Sequence, residues 1–286
     1  MTAAIAAIPF RFFDLRVLRT AQLSPSFLRI TFGGANLAEV ICGGRDQRVK
    51  LFFPRPEQDV PVLPEDNDGD WFGRWRAMDP QVRAVMRTYT VREHRTDANE
   101  LDIDFAIHEP GGGPATQWAA QASAGSRVAL LGPVIEDNGG VDFQPPQDAD
   151  WVLLTADETA VPAVEAILAW LPAATLVWVW IEVACAEDIR EMPTEAQAEV
   201  SWLVRESANA QADATLTAVR EAQLPSGKPY AWIAGESSEV QALRLHLVRE
   251  RGFERDAVVF TGYWRRGAGE DDLIVERFGS GSQDQG

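Results

Sequence analysis

Arg87-Thr88-Tyr89-Thr90-Val91-Arg92 sets a fixed cation, an aromatic plane and a hydroxyl on one extended segment. Side chains of a strand alternate with period two, so Arg87 and Tyr89 share one face while Thr90 and Arg92 lie nearer the other. A planar, phosphate-bearing cofactor uses all of these: guanidinium on pyrophosphate, ring against ring, and hydroxyl near a ring nitrogen. An acidic strand follows, and then Gly111-Gly112-Gly113-Pro114-Ala115-Thr116, a glycine-rich turn opening a helix. Backbone N–H groups at a helix N-terminus favour phosphate. Each piece alone also reads as an arginine-flanked surface strand or a capped helix; their succession points to a cofactor.

Other stretches carry candidate chemistry with plainer alternatives. Asp157-Glu158-Thr159 follows a short apolar run and reads as an N-capped helix start, with no G-x-G-x-x-G before it. Glu182 ends a second apolar run, and Gly235-Glu236 a third, where a helix cap is the plain reading. Tyr263-Trp264-Arg265-Arg266-Gly267 groups two aromatics with two guanidinium groups, although Trp264 by itself is ordinary core material. Lys50 sits between apolar neighbours, as a solvated edge lysine does. His94, His108, His246, Cys42 and Cys185 are too scattered for metal-ligand spacing, and no nucleophile or acid–base triad stands out.

The elements that must position these groups fall into two sets. Residues 10–20, 26–32 and 47–53 alternate as half-buried strands separated by turn residues, predicting an antiparallel sheet or small barrel. Trp71, Phe72 and Trp75 predict a short helix before Pro80; 101–107 is a strand, 116–124 a helix and 127–132 a strand. The proline-containing stretch 141–150 divides the chain, giving domains 1–145 and 146–278 with a flexible tail 279–286. Beyond it, strands at 151–155, 176–183, 198–204, 230–234 and 257–264 alternate with helices at 157–171, 211–223 and 236–251. That pattern predicts a three-layer α/β domain with a parallel sheet.

A chain of 286 residues accommodates two such cores. The net charge of −17 opposes nucleic acid, and no basic stripe compensates. The longest apolar run, 173–186, carries Glu182, so a buried strand rather than a membrane span is expected. The apolar N-terminus lacks the basic flank of a secretory signal, and the two cysteines fall in different halves, which fits a reducing cytoplasm.

Arg87-Thr88-Tyr89-Thr90-Val91-Arg92 resembles the flavin-binding signature of the siderophore-interacting proteins, a branch of the ferredoxin-reductase-like flavoproteins. Gly113-Pro114-Ala115-Thr116-Gln117-Trp118-Ala119, Ala156-Asp157-Glu158-Thr159-Ala160-Val161-Pro162-Ala163 and Tyr263-Trp264-Arg265-Arg266-Gly267 are similar to three further stretches of that family, in its order. The resemblance implies an N-terminal antiparallel β-barrel binding FAD and a C-terminal parallel α/β domain of the ferredoxin-reductase NAD(P)-binding type. It implies that Arg87, Tyr89, Thr90, Arg92, Gly113, Pro114, Ala115, Thr116 and Trp118 hold FAD. A histidine precedes the Gly-Pro-Ala piece in the family; His108 stands one residue farther away, so a cofactor contact and a structural role both stay open. Asp157, Glu158, Thr159, Glu182 and Gly235 would meet NADH or NADPH, Glu182 favouring NADH if it meets a ribose hydroxyl. Tyr263 and Trp264 would return to the flavin, and Lys50, Arg265 and Arg266 would line a groove for an iron chelate.

The activity so implied is reduction of a ferric siderophore, by a cytoplasmic monomer without nucleic-acid or membrane partners. Hydride passes from NAD(P)H to FAD and single electrons pass on to Fe(III). A ferredoxin- or flavodoxin-linked oxidoreductase is the rival enzyme, disfavoured by the lack of a basic docking surface. A siderophore binder without turnover is the rival from another class; it would have no need of Arg87, Tyr89 and Thr90.

Overall fold

The computed structural model describes residues 9–65, 69–107, 112–205 and 213–268. His108, Gly111 and the tail therefore lie outside the described residues. The chain forms two compact units, Met1–Asp142 and Phe143–Gly286.

The first unit contains β1 (Phe10–Ser24), β2 (Phe27–Gly33), β3 (Arg48–Phe53), α1 (Trp71–Ala77), β4 (Val85–Thr90), β5 (Glu93–Arg95), β6 (Glu100–Ala106), α2 (Pro114–Gln121) and β7 (Arg127–Pro133). Its seven strands run antiparallel in the order β4-β3-β7-β1-β2-β6-β5. Four strands separate β4 from β6 in that order, yet the Tyr89 and Phe105 rings lie 4.5 Å apart and the Arg92 N–H donates to the Asp102 carbonyl. The sheet is thus curled into the expected barrel. Alternation builds its core: Val49, Leu51 and Phe53 of β3 meet Leu101, Ile103 and Phe105 of β6 inside.

The intervening acids of β6 face outward and are buried under arginines. Arg95 binds Asp102 through both terminal nitrogens at 2.7 and 2.8 Å, and Arg29 binds Asp104 at 2.7 and 2.8 Å. Helix α2 begins at Pro114, earlier than the expected 116, because proline suits the first helical position; it ends at Gln121, where Ala122 turns extended.

The second unit contains β8 (Trp151–Ala156), α3 (Val161–Trp170), β9 (Leu176–Val183), β10 (Gln197–Val204), α4 (Ala214–Glu221), β11 (Pro229–Glu236), α5 (Ser237–Arg249) and β12 (Val258–Trp264). Its five strands are parallel in the order β10-β9-β8-β11-β12. The chain walks outward from β8 to β10 and then restarts on the other side at β11. The β8–β11 junction is therefore the switch point, where open α/β sheets bind ligands beyond the strand carboxyl ends. Trp151 and Leu153 of β8 and Ala231 and Ile233 of β11 pack with α4 and α5, whereas the buried α3 adds nothing to that cluster, as three layers require. The helix expected from 157 starts later: Asp157 caps a single 3-10 turn, Glu158–Ala160, and α3 opens at Val161.

Candidate functional site

In the barrel, β4 pairs with β3 so that Arg87 and Tyr89 oppose Leu51 and Val49, while Thr88 and Thr90 oppose Lys50 and Arg48. The Tyr89 ring lies 6.1 Å from Phe53, and Trp118 of α2 lies 5.0 Å from the same ring. Phe53 thereby brings the two aromatics of separate motifs together. Arg87 is half-buried and donates to the Met86 carbonyl at 2.7 Å; Arg92 is half-buried as well. Lys50 Nζ donates to Thr88 Oγ1 at 2.5 Å, on the face that also carries Thr90. The Thr90 hydroxyl is buried and has no hydrogen-bond partner among the described residues.

At α2, Gly113 is exposed and supplies no side-chain cap, which leaves first-turn N–H groups open to an external acceptor. A Cβ on Gly113 would meet nothing within 4 Å, so the approach is clear. Ala115 anchors the helix in the core, and Thr116 is half-buried beside it. An unpaired buried hydroxyl, an uncapped helix start and a clustered aromatic pair are features a phosphate-bearing flavin satisfies.

At the carboxyl edge of the parallel sheet, Asp157 Oδ1 accepts from the Thr159 N–H at 2.9 Å and from its hydroxyl at 2.5 Å. Asp157 Oδ2 accepts from Trp264 Nε1 at 2.6 Å. Gly235 has φ +146°, and a Cβ there would stand 2.7 Å from Asp157 Oδ2, so glycine is required. Glu158 takes both terminal nitrogens of Arg205 at 3.2 and 2.8 Å, and Arg205 Nε donates to Glu182 Oε1 at 2.8 Å. The second Glu182 oxygen is buried with no hydrogen-bond partner among the described residues. Glu236 caps α5 through Ser238 and Glu239, and its other oxygen accepts from the Arg266 N–H at 3.1 Å. Arg265 is half-buried and the Arg266 side chain exposed; the Tyr263 ring packs edge-on to Trp232.

Several of these carboxyls titrate abnormally. Burial pushes Asp157 up to about 6, with the Glu158 charge adding to it. Burial, reinforced by Glu182, Asp157 and Glu236, raises Glu239 to about 7 against the pull of Arg205. Burial works against the charge of Glu236 too, but hydrogen bonds from Ser238, Arg266 and Glu239 outweigh it and its pKa is lowered. Arg205 and Glu239 are additions that sequence reasoning missed. Arg205 carried a signal, a cation directly after a strand that ends on the ligand-binding edge; Glu239 looked like any first-turn helix acid.

Two family models match the chain: the siderophore-interacting FAD-binding domain over residues 16–137 and the siderophore-interacting protein over 149–267. It is 34% identical over 270 residues to the ferric vibriobactin reductase ViuB of Vibrio cholerae, covering 92% of this chain and 93% of that protein. An NADPH-dependent ferric-chelate reductase of Escherichia coli is 29% identical over 89% of this chain and 93% of its own length. The crystal structure of a siderophore utilization protein from T. fusca superposes with a TM-score of 0.78 at 33% identity, covering 91% of this chain and 95% of that one.

Proposed function

The chain belongs to the siderophore-interacting protein family, and on that premise we propose that it is an FAD-dependent ferric-siderophore reductase supplied by NADH or NADPH. The observation that carries this reading is the Thr90 hydroxyl at the end of β4, buried with no hydrogen-bond partner among the described residues and directly following Tyr89, whose ring lies across Phe53 from Trp118. A bound flavin supplies the chemistry of accepting two electrons from a nicotinamide and releasing them singly to Fe(III).

The protein's part is positioning. Arg87 and Arg92 would supply charge for the pyrophosphate, the N–H groups of Gly113, Ala115 and Thr116 would take phosphate oxygens, Tyr89 and Trp118 would bound the ring, and Thr90 would donate to a ring atom. The β8–β11 edge, with Asp157, Glu158, Thr159, Glu182 and Gly235, takes the dinucleotide. Lys50 in the first unit and Arg265 and Arg266 in the second are cations of the kind an oxygen-rich chelate attracts. Reduction weakens the hold of hard oxygen donors on iron and frees the metal.

No helix among the described residues is long and apolar enough to cross a membrane. With a net charge of −17 and free cysteines, we assign the protein to the cytoplasm as a monomer whose partner is the chelate rather than nucleic acid. Anaerobic stopped-flow of the FAD-loaded protein tests the reading. NADH or NADPH should bleach the flavin, and a ferric siderophore should restore its colour. A protein that takes up no FAD, or whose reduced flavin is left unoxidised by every ferric chelate offered, would sink it.

A further inference from the structure

Asp157 and Trp264 stand 107 residues apart in sequence and meet at the switch point of the sheet. Asp157 is buried, and both of its oxygens are engaged: Oδ1 takes two bonds from Thr159, and Oδ2 takes the Trp264 indole at 2.6 Å.

Trp264 reaches it from two strands away. It ends β12 and pairs in register with Glu236 of β11, whereas Asp157 follows β8 on the far side of β11. The indole must therefore cross the end of β11. Gly235 makes that crossing possible, because a side chain there would start 2.7 Å from the Asp157 oxygen that receives the indole N–H. The backbone beneath the indole is held by separate bonds. The Trp264 carbonyl accepts from Ser237 Oγ at 2.8 Å, and the Arg266 N–H donates to Glu236. Gly262 is part of this fastening, since a Cβ on it would lie 2.5 Å from Ser237 Oγ. The backbone bonds fix where the residue stands, and the carboxylate fixes where the ring lies.

We propose that Asp157 is a positioning residue: as a carboxylate it holds the Trp264 indole across the end of β11, and that indole, not Asp157 itself, shapes the place where the dinucleotide lies. The inference rests on the proposed nicotinamide site and assigns its acidic residue an indirect role. An indole N–H can only donate and an ionised carboxylate can only accept, so the pair is charge-assisted while Asp157 is ionised. Glu158 beside it on the 3-10 turn acts on it directly, and Glu239 of α5 shares its field, itself acted on by Glu182 of β9, Glu236 at the end of β11 and Arg205. With Asp157 titrating near 6, the indole is held firmly at neutral pH and loosely below 6.

The test is a double-mutant cycle on the FAD-loaded protein with Asp157→Asn, Trp264→Phe and the pair. Each single change should slow flavin reduction by subsaturating NADH roughly tenfold, the worth of one charge-assisted hydrogen bond. The double variant should be no slower than the slower single one. The near-UV circular dichroism difference between wild type and Trp264→Phe should titrate near pH 6, and that titration should vanish in Asp157→Asn. Additive losses, or wild-type kinetics in Trp264→Phe beside impaired Asp157→Asn, would make Asp157 a direct ligand and overturn the proposal. A dichroism difference flat between pH 5 and 8 would overturn it as well. Wild type and Trp264→Phe suffice for that spectroscopic arm if Asp157→Asn does not fold. Because the arm needs no nicotinamide, a failure of the donor reading and a failure of this one remain distinguishable.

Discussion

In the barrel, Asp102 and Asp104 are buried yet carry guanidinium groups from Arg95 and Arg29, and Glu100 shares Arg95 and takes Arg19 as well. At the carboxyl edge of the parallel sheet, Arg205 binds Glu158 and Glu182, while Asp157 and Glu236 are held by hydrogen bonds from hydroxyls, amides and an indole. The bond from Arg19 leads in drawing Glu100 down to about 2; burial opposes the charge of Asp102, but Arg95 and Thr31 outweigh it and lower its pKa. Across the chain, Asp157 and Glu239 rise to about 6 and about 7. Matched charges lock strands together. Carboxyls left short of cations keep a tunable field, and such sites concentrate where ligands bind.

The largest effect should come from removing the cation that the crowded edge depends on. Arg205→Ala leaves Glu158 and Glu182 without their guanidinium in a buried setting, a loss of roughly 3–5 kcal/mol. Arg95→Ala should cost about half as much by the same reasoning, because Asp102 keeps the Thr31 hydroxyl and Glu100 keeps Arg19. Urea unfolding followed by hydrogen exchange of the β10 and β6 peptides reads the two losses separately. Equal losses would erase the contrast.

Acid should then move the two units in opposite directions. Asp157 rises from 3.8 to about 6 on folding, so the folded state binds the extra proton between those values, and its contribution to stability falls as pH rises through that window. Glu239, raised from 4.5 to about 7, has the same sign. The lowered Glu100 and Asp102 contribute stability that is present above their unfolded pKa and lost as pH falls toward the folded one. Between pH 7 and 5, wild type should therefore gain on Asp157→Asn by about 1.3 kcal/mol in thermal unfolding, part of the full shift because pH 5 still lies above the unfolded value. A gap that does not change with pH would show Asp157 to be ordinary.

Much of the architecture was legible because its signals are local. Leu101-Asp102-Ile103-Asp104-Phe105 alternates plainly, and the apolar runs at β8 and β9 read as doubly covered strands. Helix starts were less so: the apolar pattern after Asp157 runs on without a break, and only the cap geometry separates the 3-10 turn from α3. At the site, the sequence pattern named individual residues but not their pairings. Asp157 with Trp264, and Arg205 with Glu158 and Glu182, meet only because the strand order sets β10 beside β9 and β8 within two strands of β12. Nor does any local feature explain Gly235, whose need comes from a carboxylate on the neighbouring strand.

The smallest expected effect compares two threonines, one from each unit. Thr90 Oγ1 in the barrel and Thr155 Oγ1 at the end of β8 are both buried with no hydrogen-bond partner among the described residues. Replacing either with valine removes a desolvated hydroxyl at nearly constant shape, so the FAD-free protein should gain about 1 kcal/mol from Thr90→Val and from Thr155→Val alike. Adding FAD should part them. If Thr90 donates to the flavin ring, Thr90→Val gives up one hydrogen bond in the complex, about 1 kcal/mol or fivefold in Kd, while Thr155→Val binds FAD as wild type does. Thermal unfolding of the FAD-free variants and titration with FAD read the two quantities independently. A Thr90→Val protein that is stabilised and still binds FAD normally would make Thr90 equivalent to Thr155, a hydroxyl buried for packing alone. Loss of FAD affinity with the stability gain intact would mean that the barrel carries an unsatisfied group whose partner is the cofactor, which nothing at Thr155 requires.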